Sequence, residues 1–294
     1  MIELKPGIHS IAMADYVALA YLNASACHTL NAQSPYHAKC GMDHRMADDT
    51  DASDIGTAIH DGLLEGVNRI EIIEADNWRT KAAKELREAA RAAGKIPILA
   101  AKARLVQAAI DAAMEFIAQA NRFDIPMGHV EQTVIWEEGE VICKARPDWI
   151  ADDHSLIVHV KTTQGSAEPN SWIRNQLPMY DCVIPFYERG LAEISATALE
   201  VGKRTGPALE SVFLVIEQNP PHGCSLIGLS PAMYEIAERK VNRAIAIWAE
   251  CVKSGKWPCY PTSVCYAEPT KWQMDEVDQR EMIDEAQAKY GLQA

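Results

Sequence analysis

Apolar positions recur with two different periods along this chain, and the switch between them marks its organisation. Across residues 54–66, Ile59, Leu63 and Leu64 fall at helical spacing behind Gly56 and Thr57, which predicts a helix carrying His60. Residues 78–93 are rich in Ala, Lys, Glu and Arg and close on Gly94, so they read as an exposed helix. Residues 100–122 place Leu105, Ala108, Ala109, Ala112, Phe116 and Ile117 at packing intervals and predict a longer one. After Pro126 the texture changes. Residues 130–136, 141–150 and 156–162 read as three strands, the last with alternating faces, joined by Glu137-Glu138-Gly139-Glu140 and Asp152-Asp153-His154 into an antiparallel meander.

Beyond the meander, residues 171–188 predict a helix that Pro178 and Pro185 bend or shorten. Residues 211–217 and 224–229 read as strands around Pro220-Pro221-His222-Gly223, and Pro231 opens a helix to about residue 253. A loop and a polar helix finish the chain. Before residue 54, a short helix near residues 13–23 stands among loops at Ser34-Pro35-Tyr36-His37 and Asp48-Asp49-Thr50-Asp51. Helix, three strands, helix, one or two strands, helix is the order of a compact α/β fold, a mixed sheet flanked by helices with helical additions at both ends.

At 294 residues the chain can bury a core without crosslinks, and its 48% hydrophobic and 23% charged residues are ordinary for a globular protein. No apolar run approaches the roughly 20 residues of a membrane span, and the first ten residues do not read as a secretory leader. A cytoplasmic protein is expected. The eight cysteines are scattered rather than set in Cys-x-x-Cys pairs, so free and mostly buried thiols are expected. An iron–sulfur cluster drawing on Cys27 or Cys40 with Cys251, Cys259 and Cys265 is disfavoured, because that spacing is loose. The formal charge of −13 argues against indiscriminate coating of nucleic acid, although a cleft can still concentrate positive field locally.

Arg146-Pro147-Asp148 ends the second strand of the meander, and His159 and Lys161 lie two apart, hence on one face, of the third. Glu131 on the first strand, Asp148, His159 and the helix-borne His60 are candidates to converge on one or two divalent ions, with Lys161 orienting water or neutralising charge on a phosphate. Hard cations such as Mg²⁺ take oxygen ligands and keep several waters, so few protein carboxylates suffice. Singly, an Asp after Pro is ordinarily a turn, a Lys on a strand ordinarily solvated, and a His on a helix ordinarily packing. Their joint order is what points to a site. Basic residues nearby, Lys144, Arg146, Arg174, Lys203 and Arg204, are candidates for phosphate contact, although loop charges are ordinarily just solvated. Trp149, Trp172 and Tyr187 have the rings to stack on bases but suit core packing better.

The set Gly56-Thr57-Ala58-Ile59-His60, Glu131, Arg146-Pro147-Asp148, Val160-Lys161-Thr162-Thr163 and Gln176-Leu177-Pro178-Met179-Tyr180 resembles the RecB-like branch of the PD-(D/E)xK nucleases. Within it the chain is most similar to the exonuclease VIII (RecE) type of phage and prophage recombination systems, over residues 54–262. The resemblance implies a restriction-endonuclease-like core at 54–262, an extension at 1–53 and a tail at 263–294. It implies His60 as helix-borne metal ligand, Asp148 as principal carboxylate, Lys161 as catalytic lysine and Glu131 as an added acidic ligand. Gln176 and Tyr180 look like the family's supporting Gln-x-x-x-Tyr pair, expected on one helical face.

At one position the chain departs from the pattern. The family expects an acid two residues before the lysine, where this chain has His159, a softer and neutral ligand that suits Mn²⁺ better than Mg²⁺. His159 could ligate Mn²⁺, Glu131 could supply the missing charge, or the protein could bind DNA without cutting it.

The resemblance further implies degradation of linear duplex DNA from the 5′ end, a 3′ single-stranded product for a RecT-like annealing protein, a ring-shaped homo-oligomer and a phage or prophage origin. Two rivals are an iron–sulfur RecB-like nuclease and a catalytically silent DNA-binding or phage interaction module.

Overall fold

The computed structural model describes residues 4–43, 50–66, 69–198 and 209–290. It forms two compact units, Met1–Pro258 and Cys259–Ala294. The first begins with β1 (Gly7–His9), α1 (Met13–Ala18), α2 (Ala24–Ala32), α3 (Pro35–Asp43) and α4 (Asp51–Leu64). Then come β2 (Ile70–Ile73), α5 (Lys81–Ala92), β3 (Ile96–Leu99) and α6 (Ala100–Ala120). The strand-rich part holds β4 (Gly128–Val130), β5 (Thr133–Glu138), β6 (Val141–Ala145), β7 (Trp149–Ala151) and β8 (Leu156–Thr163). After it follow α7 (Pro169–Asn175), α8 (Leu177–Tyr180), α9 (Val183–Ala198), β9 (Glu210–Glu217), β10 (Cys224–Ile227) and α10 (Pro231–Ser254).

The principal sheet runs β10-β9-β8-β7-β4, with β8 and β9 parallel and the other neighbours antiparallel. A parallel neighbour requires a crossover, and α7, α8 and α9 supply it. β8 is covered on both faces. Val158 and Val160 pack with Ile59 of α4 and Ala109 of α6, while Ile157 joins Phe186 of α9 and Val241 of α10. Burial of successive residues from Leu156 to Val160 is the mark of a central strand and explains its β-branched composition.

The predicted meander is present but broken. Residues 130–136 divide into β4 and β5, and residues 141–150 into β6 and β7. β5 and β6 pair antiparallel in a separate sheet with β1, while β4 and β7 pair in the principal sheet. The cause is local: Glu131 takes a left-handed φ of 54°, and Pro147, which lacks an amide hydrogen, interrupts the facing strand.

Other expectations change too. Ser34-Pro35-Tyr36-His37 is not a loop but the start of α3, with proline at its first position where the missing amide is harmless. The helix near residues 13–23 stops at Ala18, and the single helix over residues 171–188 is three pieces, α8 carrying Pro178 in its first turn. The second unit holds α11 (Lys271–Tyr290), preceded by a reciprocal cap in which the Gln273 amide donates to Thr270 Oγ1 (3.3 Å) and the Thr270 amide to Gln273 Oε1 (2.9 Å).

Close approach of α4 to β8 positions the site. A Cβ on Gly56 would lie 2.6 Å from Thr162 Oγ1 and 3.1 Å from Gln218 Nε2. Gln218 Nε2 in turn donates to Thr162 Oγ1 and to the Ala52 carbonyl, each at 3.1 Å, pinning the start of α4 to the sheet about two turns before His60. Gly56→Ala would gain up to about 1 kcal/mol of helix propensity, against roughly 1–3 kcal/mol of overpacking. Gly56→Val adds a larger clash with less propensity gain. It is expected to lower unfolding stability by about 2 kcal/mol in urea titrations, and a wild-type midpoint would contradict the close approach.

Candidate metal centre

The two strand interruptions face each other. The Glu131 amide donates to the Asp148 carbonyl (3.2 Å), so both acidic side chains leave the sheet at one level. Asp148 Oδ2 accepts the Val160 amide (2.7 Å), which fixes its carboxylate to β8 beside Lys161. His60, on α4, brings Nε2 to 3.3 Å from Asp148 Oδ1 and 3.6 Å from Glu131 Oε1. Lys161 Nζ lies 3.5 Å from Asp148 Oδ2, donates to the Val160 carbonyl at 3.0 Å and sits 5.6 Å from the Tyr180 ring centre. A cleft of about 610 Å³ is lined by His60, Asp61, Glu131, Arg146, Lys161 and Tyr180. A second cavity of about 310 Å³ adjoins it across Glu131 and Arg146, with Asp148 also in its wall.

One imidazole nitrogen and two carboxylate oxygens within 4.8 Å of one another make the group of at least three candidate ligands among the described residues. This donor set fits a divalent cation of Mg²⁺ or Mn²⁺ type, with further positions left for water and phosphate oxygen. Cys27 and Cys251 are buried, and Cys259 and Cys265 are exposed.

Charges here are balanced by neighbours. Burial opposes ionisation of Asp148, but the Lys161 ammonium and the His60 hydrogen bond hold its carboxyl well below the usual range. Burial likewise opposes charge on His60, yet its bonds to Asp148 and Asp61 prevail and push it up to about 10. Glu131 is raised, mainly by burial and by Asp148, although Arg146 and His60 pull the other way. The left-handed backbone at Glu131 costs on the order of 1–3 kcal/mol, the kind of strain that persists at functional positions.

The remaining candidates divide. His159 is 1% exposed, and its ring packs against Tyr187 (4.9 Å) and Phe213 (5.5 Å). Nε2 of that ring is buried and has no hydrogen-bond partner among the described residues. Burial holds its pKa down to about 3 despite the nearby Asp148, so the ring is neutral, and it lies outside the three-ligand group. Gln176 does not share a helix with Tyr180; it is the junction between α7 and α8, its amide bonded to the Trp172 carbonyl (2.8 Å). Tyr180 stacks on Trp172 at 6.0 Å and faces Lys161.

Arg146 points inward: Nε donates to Glu131 Oε2, and Nη1 to the Ile11 carbonyl and Thr133 Oγ1, both at 3.0 Å. Lys144 is buried, its ammonium on the Tyr16 and Leu19 carbonyls. Arg174 is exposed in the last turn of α7, and Lys203 and Arg204 lie outside the described residues. Trp149 and Trp172 are buried in the core.

Asp61 was not anticipated. Its Oδ1 lies 3.2 Å from His60 Nδ1, and adjacency of His and Asp in sequence is the one signal that could have raised it, a weak one because neighbours on a helix ordinarily diverge.

A family model described as a PDDEXK-like domain of unknown function (DUF3799) matches residues 25–269. Among solved structures, one of a protein from Eubacterium rectale carrying the provisional name exonuclease is similar in fold. Its TM-score is 0.51 at 12% identity, covering 91% of this chain and 98% of that one. No curated protein matches in sequence.

Titration of the metal-free protein should reveal the site. His60 is raised from 6.5 to about 10, so its contribution to stability is complete below the unfolded value and fades as pH rises through about 10. Asp148 is lowered from 3.8, so its contribution holds above that value and fades as pH falls through its lowered pKa. In EDTA, the thermal-stability gap between wild type and His60→Gln is expected to shrink from pH 7 to pH 10. A gap independent of pH would show that His60 is not paired with these acids.

Proposed function

We propose, since the chain belongs to the PDDEXK-like domain family within the PD-(D/E)xK nuclease superfamily, that it is a metal-dependent exodeoxyribonuclease acting on the ends of linear duplex DNA. The observation that carries this reading is the meeting of His60, Glu131 and Asp148 with the Lys161 ammonium where an open cleft and a second cavity adjoin. In the fuller proposal, digestion proceeds 5′ to 3′ and leaves 3′ single-stranded tails for an annealing protein. The working form is a homo-oligomeric ring, and the gene belongs to a phage or prophage expressed in the bacterial cytoplasm. No helix among the described residues is long and apolar enough to cross a membrane. The proposed nuclease domain is 54–262, with 1–53 and 263–294 as additions.

His60, Glu131 and Asp148 would hold the cation. A divalent ion bound there supplies a more acidic water and neutralises charge on the phosphate. Asp148 stays ionised because Lys161 and His60 favour its charged form, so it is ready to ligate at neutral pH. Arg146 fixes the Glu131 carboxylate from behind, leaving Oε1 towards His60. Lys161, partly exposed and steered by Tyr180, can place its ammonium against a phosphate oxygen as charge develops there. Tyr180 thus supports the lysine, and Gln176 stands just before the short helix that carries it, its carbonyl accepting the Met179 amide at 3.0 Å. Exposed Arg174 is the described basic side chain assigned to the DNA backbone, with Lys203 and Arg204 proposed alongside it.

Asp148→Asn and Lys161→Ala are each expected to reduce digestion of linear duplex DNA by about 10²–10³-fold with an unchanged circular dichroism spectrum. Full activity in either folded variant would defeat the assignment.

A second reading, a silent DNA-binding module, is favoured by one observation: the neutral, buried His159 where the family places an acid. Rates in Mg²⁺ and Mn²⁺ separate the two. His159→Asp is expected to shift the Mg²⁺/Mn²⁺ rate ratio towards Mg²⁺ while weakening the metal-free fold, because it buries a second carboxylate beside Asp148. An unchanged ratio would remove position 159 from the site.

A further inference from the structure

Asp61 is a buried carboxylate with no part in the ligand group, and it needs a reason to be there. It is 5% exposed, and a buried carboxylate is destabilising unless paired. Oδ1 lies 3.2 Å from His60 Nδ1. Oδ2 accepts no aligned hydrogen bond among the described residues but lies 2.7 Å from Arg69 Nη1, so Arg69 holds it as an ion pair. The opposite ring nitrogen, Nε2, is the one facing Asp148 and Glu131. His60 therefore sits between two acid groups, one on each nitrogen, and they have different neighbours. Glu131 borders the 610 Å³ cleft and Asp148 the adjoining cavity, whereas Asp61, itself in the cleft wall, is paired with the Arg69 guanidinium.

We propose that Asp61, itself anchored by Arg69, is the positioning residue that keeps the proton on His60 Nδ1 and so leaves Nε2 as the nitrogen offered to a divalent cation. The inference rests on the metal-dependent reading of this site and specifies how the chain orients one ligand within it. An imidazole can rotate or exchange tautomers, and either change would turn the lone pair away from the two carboxylates. A charged acceptor at Nδ1 opposes both and raises the basicity of the opposite nitrogen. Arg69 matters because it fixes the second oxygen: Asp61 cannot rotate to release His60 without breaking the ion pair. α4 carries both His60 and Asp61, so the orientation is carried with the helix that Gly56 and Gln218 fix to the sheet.

The test is Mn²⁺ binding to EDTA-stripped protein without DNA, read by the electron paramagnetic resonance signal of free Mn²⁺. Asp61→Ala is expected to bind Mn²⁺ about 10- to 100-fold more weakly than wild type. Asp61→Asn, which keeps an acceptor oxygen without the charge, should recover part of that loss, and Arg69→Gln should show a smaller loss than Asp61→Ala. In Mg²⁺-loaded protein with ¹⁵N-labelled histidine, His60 should show a protonated Nδ1 in wild type and a mixture of tautomers in Asp61→Ala.

His60→Gln in the same titration separates two kinds of failure. If it binds Mn²⁺ as wild type does, the metal site itself is misassigned and the inference falls with it. If His60→Gln loses binding while Asp61→Asn and Asp61→Ala keep wild-type affinity and tautomer, the positioning role alone is overturned. Should Asp61→Ala fail to fold, Asp61→Asn and Arg69→Gln decide, with wild-type affinity in both overturning the proposal.

Discussion

The hydrogen bond from the Val160 amide to Asp148 Oδ2 is the constraint on which the centre depends. It ties the acid that follows Pro147 to the central strand β8, at the residue just before the lysine. The Glu131 amide, bonded to the Asp148 carbonyl, then brings the second acid to the same level. A continuous hairpin would have kept Asp148 and Glu131 in the sheet ladder and turned their side chains by simple alternation. The paired interruptions free both carboxylates, at the expense of a left-handed backbone at Glu131. The strained residue is also one of the three candidate ligands.

Electrostatics explain how two acids can share a half-buried pocket in a protein of net charge −13. Each carboxylate has its own cation: Lys161 for Asp148 and Arg146 for Glu131, with His60 between them. Arg146 also reaches the Ile11 carbonyl, so the residues before α1 are tied to the centre. The same arrangement shows why two basic residues near the motifs are poor candidates for DNA contact. Lys144 is engaged by the Tyr16 and Leu19 carbonyls and Arg146 by Glu131 and the Ile11 carbonyl, so neither cation is free of an internal partner.

The His159 position shows where family pattern and physical environment part. An acid there would be a second buried negative charge beside Asp148, whereas the imidazole stays neutral between Tyr187 and Phe213. The chain has exchanged charge for aromatic packing at that site. Its ligand group consequently leans on Glu131 and on the helix-borne His60.

Much of this was legible without coordinates. Apolar pattern and turn residues located α4, α6, α10 and the strands β8, β9 and β10 to within a few residues, because those elements bury faces whose spacing is set by the backbone itself, and composition located the exposed α5. The joint order of His60, Glu131, Asp148 and Lys161 pointed to one site for the same reason: strand and helix geometry carry each residue to a defined end. What the sequence could not settle is where contacts between distant segments override local preference. The inward turn of Arg146 onto the Ile11 carbonyl depends on a partner far along the chain, and the break at Glu131 and the helical start at Pro35 are backbone events that no hydrophobic period records. Asp61 belongs to the same class. Its adjacency to His60 is visible in one dimension, but its meaning comes from Arg69 and from the packing of α4 on β8, which only the folded chain brings together.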